Sequence, residues 1–301
     1  EMGHTLGLRH NVKASWLYDA SEIHDKNITG NNHIGSVMDY DPINIAPDGV
    51  EQGNYFPTEP GPYDIWAITF GYTQEMSDSD REDLLSQSTK PEFIFGTDDD
   101  AMGSPGGNID PRNKRYDMSS DPITYAVQRL QIIDNKINEL PDIFNEPGST
   151  YTELKATFDS LLRDKGRFAE SIAIQIGGVY SNRIVIGQES GMTPFEVVPY
   201  EEQKRAMRAL NEYLFANDAF IFSPSILKLL QSEKRAASYG NSDDDPKVHD
   251  RVLRMQMGAL SFILHPRVMT RLTNSSQYGN KYLPDEVLQD IFDGIFVARE
   301  I

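Results

Sequence analysis

The sequence predicts a mainly α-helical fold, and three observations carry that prediction. Apolar residues recur at spacings of three and four through most of the second half of the chain. Several of these runs open on proline, whose fixed φ suits the first helical turn. Runs with strand character are confined to two short β-branched segments. At 301 residues the chain can bury a sizeable core and more than one packing unit.

In chain order, residues 1–75 hold the end of a helix at Glu1–Leu6, a loop rich in Asn, Gly and Asp, and the run Gly53–Pro62, whose three prolines exclude a regular helix. Tyr63–Gly71 then reads as a helix closed by its glycine. Residues 76–120 form a loop-rich connection, and the Asp, Gly, Ser, Pro and Asn content from Thr97 to Asp121 marks a long surface loop. Its acidic start, Asp98-Asp99-Asp100, fails the EF-hand pattern, because Met102 and Ile109 occupy ligand positions. It reads as a solvated loop, with a calcium site of another kind as the alternative.

Residues 121–301 read as an α-helical domain. Asp121-Pro122 opens a helix through about Leu140 that aligns Val127, Leu130, Ile133, Ile137 and Leu140 on one face. Further helices are expected at 151–165, 167–179, 199–216, 224–232, 246–264 and 284–296. Ile184–Gly187 and Phe195–Val198 are expected to pair as a small hairpin. Asn241–Pro246 reads as a second acidic loop.

The chemistry lies at the start, in Glu1-Met2-Gly3-His4-Thr5-Leu6-Gly7-Leu8-Arg9-His10. These residues match the zinc-protease pattern H-E-x-x-H-x-x-G-x-x-H from its second letter onward. The four fixed positions coincide by chance on the order of once in several hundred thousand starts. Residues four apart share a helix face, so His4 and a histidine preceding Glu1 could reach one zinc ion. Glu1 falls between them, beside the water that zinc activates, as general base. Gly7 ends the helix in the left-handed conformation and turns His10 back to the metal. The expectation follows that the preceding residue is a histidine, and that a chain lacking it binds zinc weakly and turns nothing over.

Downstream lies Ser36-Val37-Met38-Asp39-Tyr40. With the opening motif this run resembles a metzincin peptidase with its methionine turn, and the stretch from Glu1 through Phe70-Gly71-Tyr72 resembles the bacterial zinc-dependent metalloproteases grouped as the Met-zincin family. The resemblance implies the C-terminal half of a metzincin-like zinc peptidase domain, completed by an upstream region of the same polypeptide. By the same resemblance Met38 forms the apolar floor under the imidazoles, a role its flexible thioether suits. Tyr40 donates to the developing oxyanion. It also implies export to the periplasm, the outer membrane or the exterior. Asp39 and Asp41 are candidates to orient a ligand imidazole. Asn11 is assigned a capping role only. His24 and His33 read as water-exposed loop histidines, with replacement of the missing ligand as the alternative, and His249 and His265 as structural.

The net charge of −18 argues against nucleic acid and anionic membranes as partners. The absence of cysteine excludes disulfides and thiolate ligands. No apolar stretch is long enough to span a bilayer. The function expected is therefore zinc-dependent hydrolysis of a peptide or protein substrate. The competing reading is a non-catalytic helical binding or scaffold module with a vestigial zinc site.

Overall fold

The computed structural model describes residues 2–101, 104–188, 190–232 and 245–296. Glu1 and residues 241–244 of the second acidic loop lie outside this set. The first half contains four helices: α1 (Met2–Thr5), α2 (Lys26–Thr29), α3 (Pro62–Tyr72) and α4 (Asp78–Ser86). The second half contains α5 (Pro122–Ile143), α6 (Tyr151–Ala173), strands β1 (Val179–Ser181) and β2 (Phe195–Val197), then α7 (Tyr200–Leu210), which runs into a π turn at Asn211–Phe215. The chain continues through α8 (Pro224–Leu227), α9 (Val248–Ile263), α10 (Pro266–Ser275) and α11 (Pro284–Phe296). The fold is mainly α with one small antiparallel hairpin. Among the described residues no helix is long and apolar enough to cross a membrane.

Local chemistry sets the helix starts. The Asp121 side chain accepts the Thr124 N–H ahead of Pro122, so α5 begins on a satisfied cap with proline in its first turn. Thr150 and Glu153 form a reciprocal capping box at the start of α6. The helices α5 and α6 pack as a hairpin, and α7, α8 and α9 close around it. Leu130, Ile133, Ile137 and Leu140 of the expected face are all buried against Leu154, Phe158 and Leu162 of α6. Ala20, Ile23 and Ile34 of the first half belong to the same continuous cluster. Within it, the buried Lys165 ammonium donates to both oxygens of Asp134 at 2.7 and 2.9 Å and to the Ala219 carbonyl, so the charge it carries inside is paired.

The structure departs from the sequence expectation in several places. The helices expected at 151–165 and 167–179 are one helix ending at Ala173, because Gly166 continues the α conformation. The first hairpin strand is Val179–Ser181, in register Val179↔Val197 and Tyr180↔Glu196, and Ile184–Gly187 lies outside the sheet. Gly177 at φ +68° ends the helical path early, so Val179 leaves directly as a strand. Helices α4 and α10 were not anticipated. The expected helix 224–232 is a single turn.

The stretch from Thr97 to Asp121 differs most from its expected surface loop. Asp110, Asn113, Asp117, Met118 and Ser119 are buried. Asp110 accepts from Arg112 through both oxygens and pairs with the buried Lys13 ammonium at 2.8 Å. Asp110, Asp117 and Ser119 thus find partners inside, as buried polar groups require, whereas Thr97 Oγ1 and Asn113 Oδ1 make no hydrogen bond among the described residues.

Removing the Phe158 ring, which is fully buried and edge-on to Phe222 at 5.3 Å, creates a cavity costing about 3–5 kcal/mol. The half-exposed Phe292 should cost under about 1 kcal/mol when changed to Ala. Urea unfolding of Phe158→Ala and Phe292→Ala gives both values.

Candidate metal centre

Helix α1 ends one residue after His4. The Leu8 N–H donates to the Gly3 carbonyl and the Gly7 N–H to the His4 carbonyl, with Gly7 at φ +84°. This double closure around a left-handed glycine reverses the chain. The reversal brings His10 back against His4: their Nε2 atoms lie 3.2 Å apart, with ring centroids at 4.7 Å.

The far side of each ring meets an acceptor. His4 Nδ1 lies 3.0 Å from the Leu8 carbonyl oxygen, and His10 Nδ1 lies 2.6 Å from Asp98 Oδ2. A carbonyl and a carboxylate only accept, so each Nδ1 carries a proton, and in the neutral form each ring would turn its Nε2 lone pair toward the other. Two lone pairs facing at that distance repel unless a cation sits between them. Two donors held tetrahedrally at 2.0–2.1 Å from one zinc ion stand about 3.3 Å apart. The pair of imidazoles therefore fits a shared metal ion in both spacing and protonation. Among the described residues no group of three or more His, Asp or Glu side chains is arranged to hold a metal.

Met38 and Tyr40 flank the pair. Met38 is buried directly beneath α1, so close that a Cβ on Gly3 would fall 2.3 Å from its Sδ. Its carbonyl accepts the Asn11 N–H at 3.1 Å, which ties the methionine turn to the residue after His10. The Tyr40 ring packs 4.4 Å from the His10 ring and lies under the Arg115 guanidinium at 5.1 Å. Arg115 also donates to Asp98 Oδ1 at 2.5 Å. Asp98 thus links His10 to Arg115, and its hydrogen bond with His10, reinforced by Arg115, holds its carboxyl below the usual range.

Behind this layer sit three further carboxyl groups. Asp64, at the third position of α3, accepts from Ser36 Oγ at 2.5 Å and from the N–H groups of Val37 and Gly61. It clamps the methionine turn to the helix start, where Gly61 lies so close to the Gly35 carbonyl that no side chain fits. Asp39 accepts from the backbone N–H groups of Ser15 and Tyr40, and burial with Asp117 nearby pushes it well above the carboxylate range. Asp117 accepts from Ser15 Oγ and Trp16 Nε1 and is pushed up to about 7 by burial.

Neither Asp39 nor Asp41 takes the ligand imidazole, as the sequence had suggested; Asp98 does, from the stretch read as a solvated acidic loop. The three aspartates there face protein cations, Asp98 also Arg115, Asp99 Arg9 and Asp100 Arg183, and among the described residues they form no cluster arranged to hold a metal. Asn11 does more than cap a turn: fully buried, it bridges Gly96, Lys13 and Ile94.

His24 and His33 are buried rather than exposed. Neither ring makes a hydrogen bond among the described residues, and His33 Nε2 lies 3.6 Å from Asp41 Oδ2. They do not stand in as metal ligands. Burial, with His33 and Arg129 adding positive field, holds His24 down at about 4.

The unfolded chain protonates His24 near 6.5 and the folded chain only near 4, so folding stability falls as pH drops through that interval. A His24→Gln variant lacks this term. Its stability relative to the parent chain should rise by on the order of 2 kcal/mol between the upper and lower ends of the interval, read from denaturant midpoints at each pH.

Comparison with known proteins agrees with the geometry. A family model described as Met-zincin matches residues 1–300. No curated protein and no solved structure matches the chain. With the match running essentially end to end, the chain belongs to the Met-zincin family.

Proposed function

We propose that this chain supplies the third-ligand turn, methionine floor and oxyanion tyrosine of a zinc-dependent peptide hydrolase. The observation that carries the proposal is the His4–His10 pair, with Nε2 atoms 3.2 Å apart and both Nδ1 atoms committed as donors. Family membership supports a metallopeptidase at a coarse level. Zinc held there would polarise the scissile carbonyl and make a bound water acidic enough to attack near neutral pH.

The protein's own residues account for the remaining work. The Leu8 carbonyl and Asp98 hold a proton on Nδ1 of His4 and His10 and so leave Nε2 of each as the metal-binding atom. Glu1, one position along the motif, takes the proton of the attacking water and passes it to the leaving amine. The Tyr40 phenol, braced between His10 and Arg115, donates to the carbonyl oxygen as charge builds there. A third imidazole one turn before His4 would complete the set.

A polypeptide with histidine at that position should bind one zinc ion and cleave unfolded protein. Glu1→Gln should retain zinc and lose roughly 100-fold or more in turnover, whereas His4→Ala should lose zinc itself. Metal analysis with a fluorescent casein assay checks both. Full zinc occupancy in His4→Ala/His10→Ala, or undiminished cleavage in Glu1→Gln, would refute these roles; a helical scaffold with an inert site would show neither zinc nor cleavage.

A further inference from the structure

Where α6 and α9 pack, a cleft of about 460 Å³ opens to the surface. Arg163 and Arg167 of α6 line one wall, and Arg251 and Arg254 of α9 the other. Spacings of four and three place each pair on one helix face. Four guanidinium groups around one cleft reverse the sign of a chain whose net charge is −18.

Their internal partners do not account for all four. Arg251 pairs with Asp159, which also holds Lys155 at 2.8 Å, and Arg167 pairs with Asp164 at 3.0 Å. Glu170, the other acid of the cleft, lies 3.5 Å from Lys114. Arg163 and Arg254 make no ion pair or hydrogen bond among the described residues. An unpaired guanidinium presents a planar fork of donors that matches a carboxylate.

A relay of ring contacts connects the cleft with the candidate metal centre. The Arg167 guanidinium lies over the Tyr116 ring at 5.4 Å, Tyr116 packs 6.2 Å from Tyr40, and Tyr40 packs 4.4 Å from His10. A chain lying across the imidazole pair would pass Tyr40 and Tyr116 and deliver its next side chains to the arginines.

We propose that this cleft is a subsite for acidic side chains, and that the substrate class is peptides with Asp or Glu clustered on one side of the scissile bond. Cleavage at that bond rests on the peptidase reading; recognition of the acidic segment by the arginines does not. A nucleic acid is the poorer fit, because its phosphates would run past the cleft onto acidic surface.

The test measures binding of a fluorescein-labelled oligoglutamate peptide to the 301-residue chain by anisotropy, with labelled oligolysine and a single-stranded DNA oligomer as comparisons. Oligoglutamate should bind, more weakly as salt is raised, and Arg163→Gln/Arg254→Gln should weaken it roughly tenfold. These two side chains have no internal partner to lose, so circular dichroism and melting should be unchanged. Equal binding by parent and variant, no oligoglutamate binding, or DNA bound as tightly as the peptide would each overturn the assignment. In the zinc-competent polypeptide, cleavage indifferent to acidic residues near the cut overturns the subsite while leaving the peptidase reading intact. Salt-sensitive, arginine-dependent binding by a polypeptide that cleaves nothing supports the subsite and sinks the peptidase reading.

Discussion

The site depends on a single carboxylate contributed from far along the chain. Asp98 fixes the proton of His10 on the outer nitrogen and turns the inner lone pair toward His4. With that proton on the other nitrogen, the His10 inner N–H could donate to His4 and the two rings would satisfy each other without a metal. Arg115 holds Asp98 charged from its other oxygen and covers the Tyr40 ring, so one guanidinium couples the orientation of the His10 ring to that of the Tyr40 ring. The Leu8 carbonyl does for His4, within one turn, what Asp98 does for His10 across 88 residues.

That long reach explains why the segment carrying Asp98, Asp110 and Asp117 runs through the interior. Lys13, three residues past His10, is buried with Asp110, and the buried Asp117 meets Ser15 and Trp16. Desolvating a charged group costs several kcal/mol unless it is paired, and Lys13 and Asp110 are paired with each other. The carboxyl groups left without a cation, Asp39 and Asp117, are driven toward their neutral forms. Such a layer specifies one arrangement of the loops under the metal centre, because any slip would strand a buried charge.

Much of the helical body was legible because its information is local: caps, prolines and the 3.6-residue apolar period of α5 all lie within a few residues of what they control. The motif residues His4, Gly7, His10, Met38 and Tyr40 were legible for the same reason. The rest depended on distant partners. Thr97 to Asp121 has the composition of a solvated loop, and nothing in its sequence says that its acids meet Lys13, Ser15 and His10. Gly166 reads as a helix stop, yet α6 continues through it to Ala173. The β-branched run Ile184–Gly187 has strand propensity but no facing strand, while Val179 reaches one through the turn at Gly177. Asp64 was nearer to view, since an acid three residues after a Gly-Pro start is a capping signal; its grip on Ser36 and Val37 was not.

The apolar cluster that joins Ala20, Ile23 and Ile34 to the α5–α6 hairpin gives the two ends of the chain a common fate. The loops around the imidazoles bury a few apolar residues of their own, Val12, Ala14, Met38 and Tyr63, and lean on the helical body through Ala20, Ile23 and Ile34. Heat or denaturant that opens the helical body removes their support at the same step, so loss of the site and loss of helix follow one cooperative transition. The helices then act as the thermal ballast of the loops, and substitutions deep among them set the temperature at which the pairing of His4 with His10 is lost.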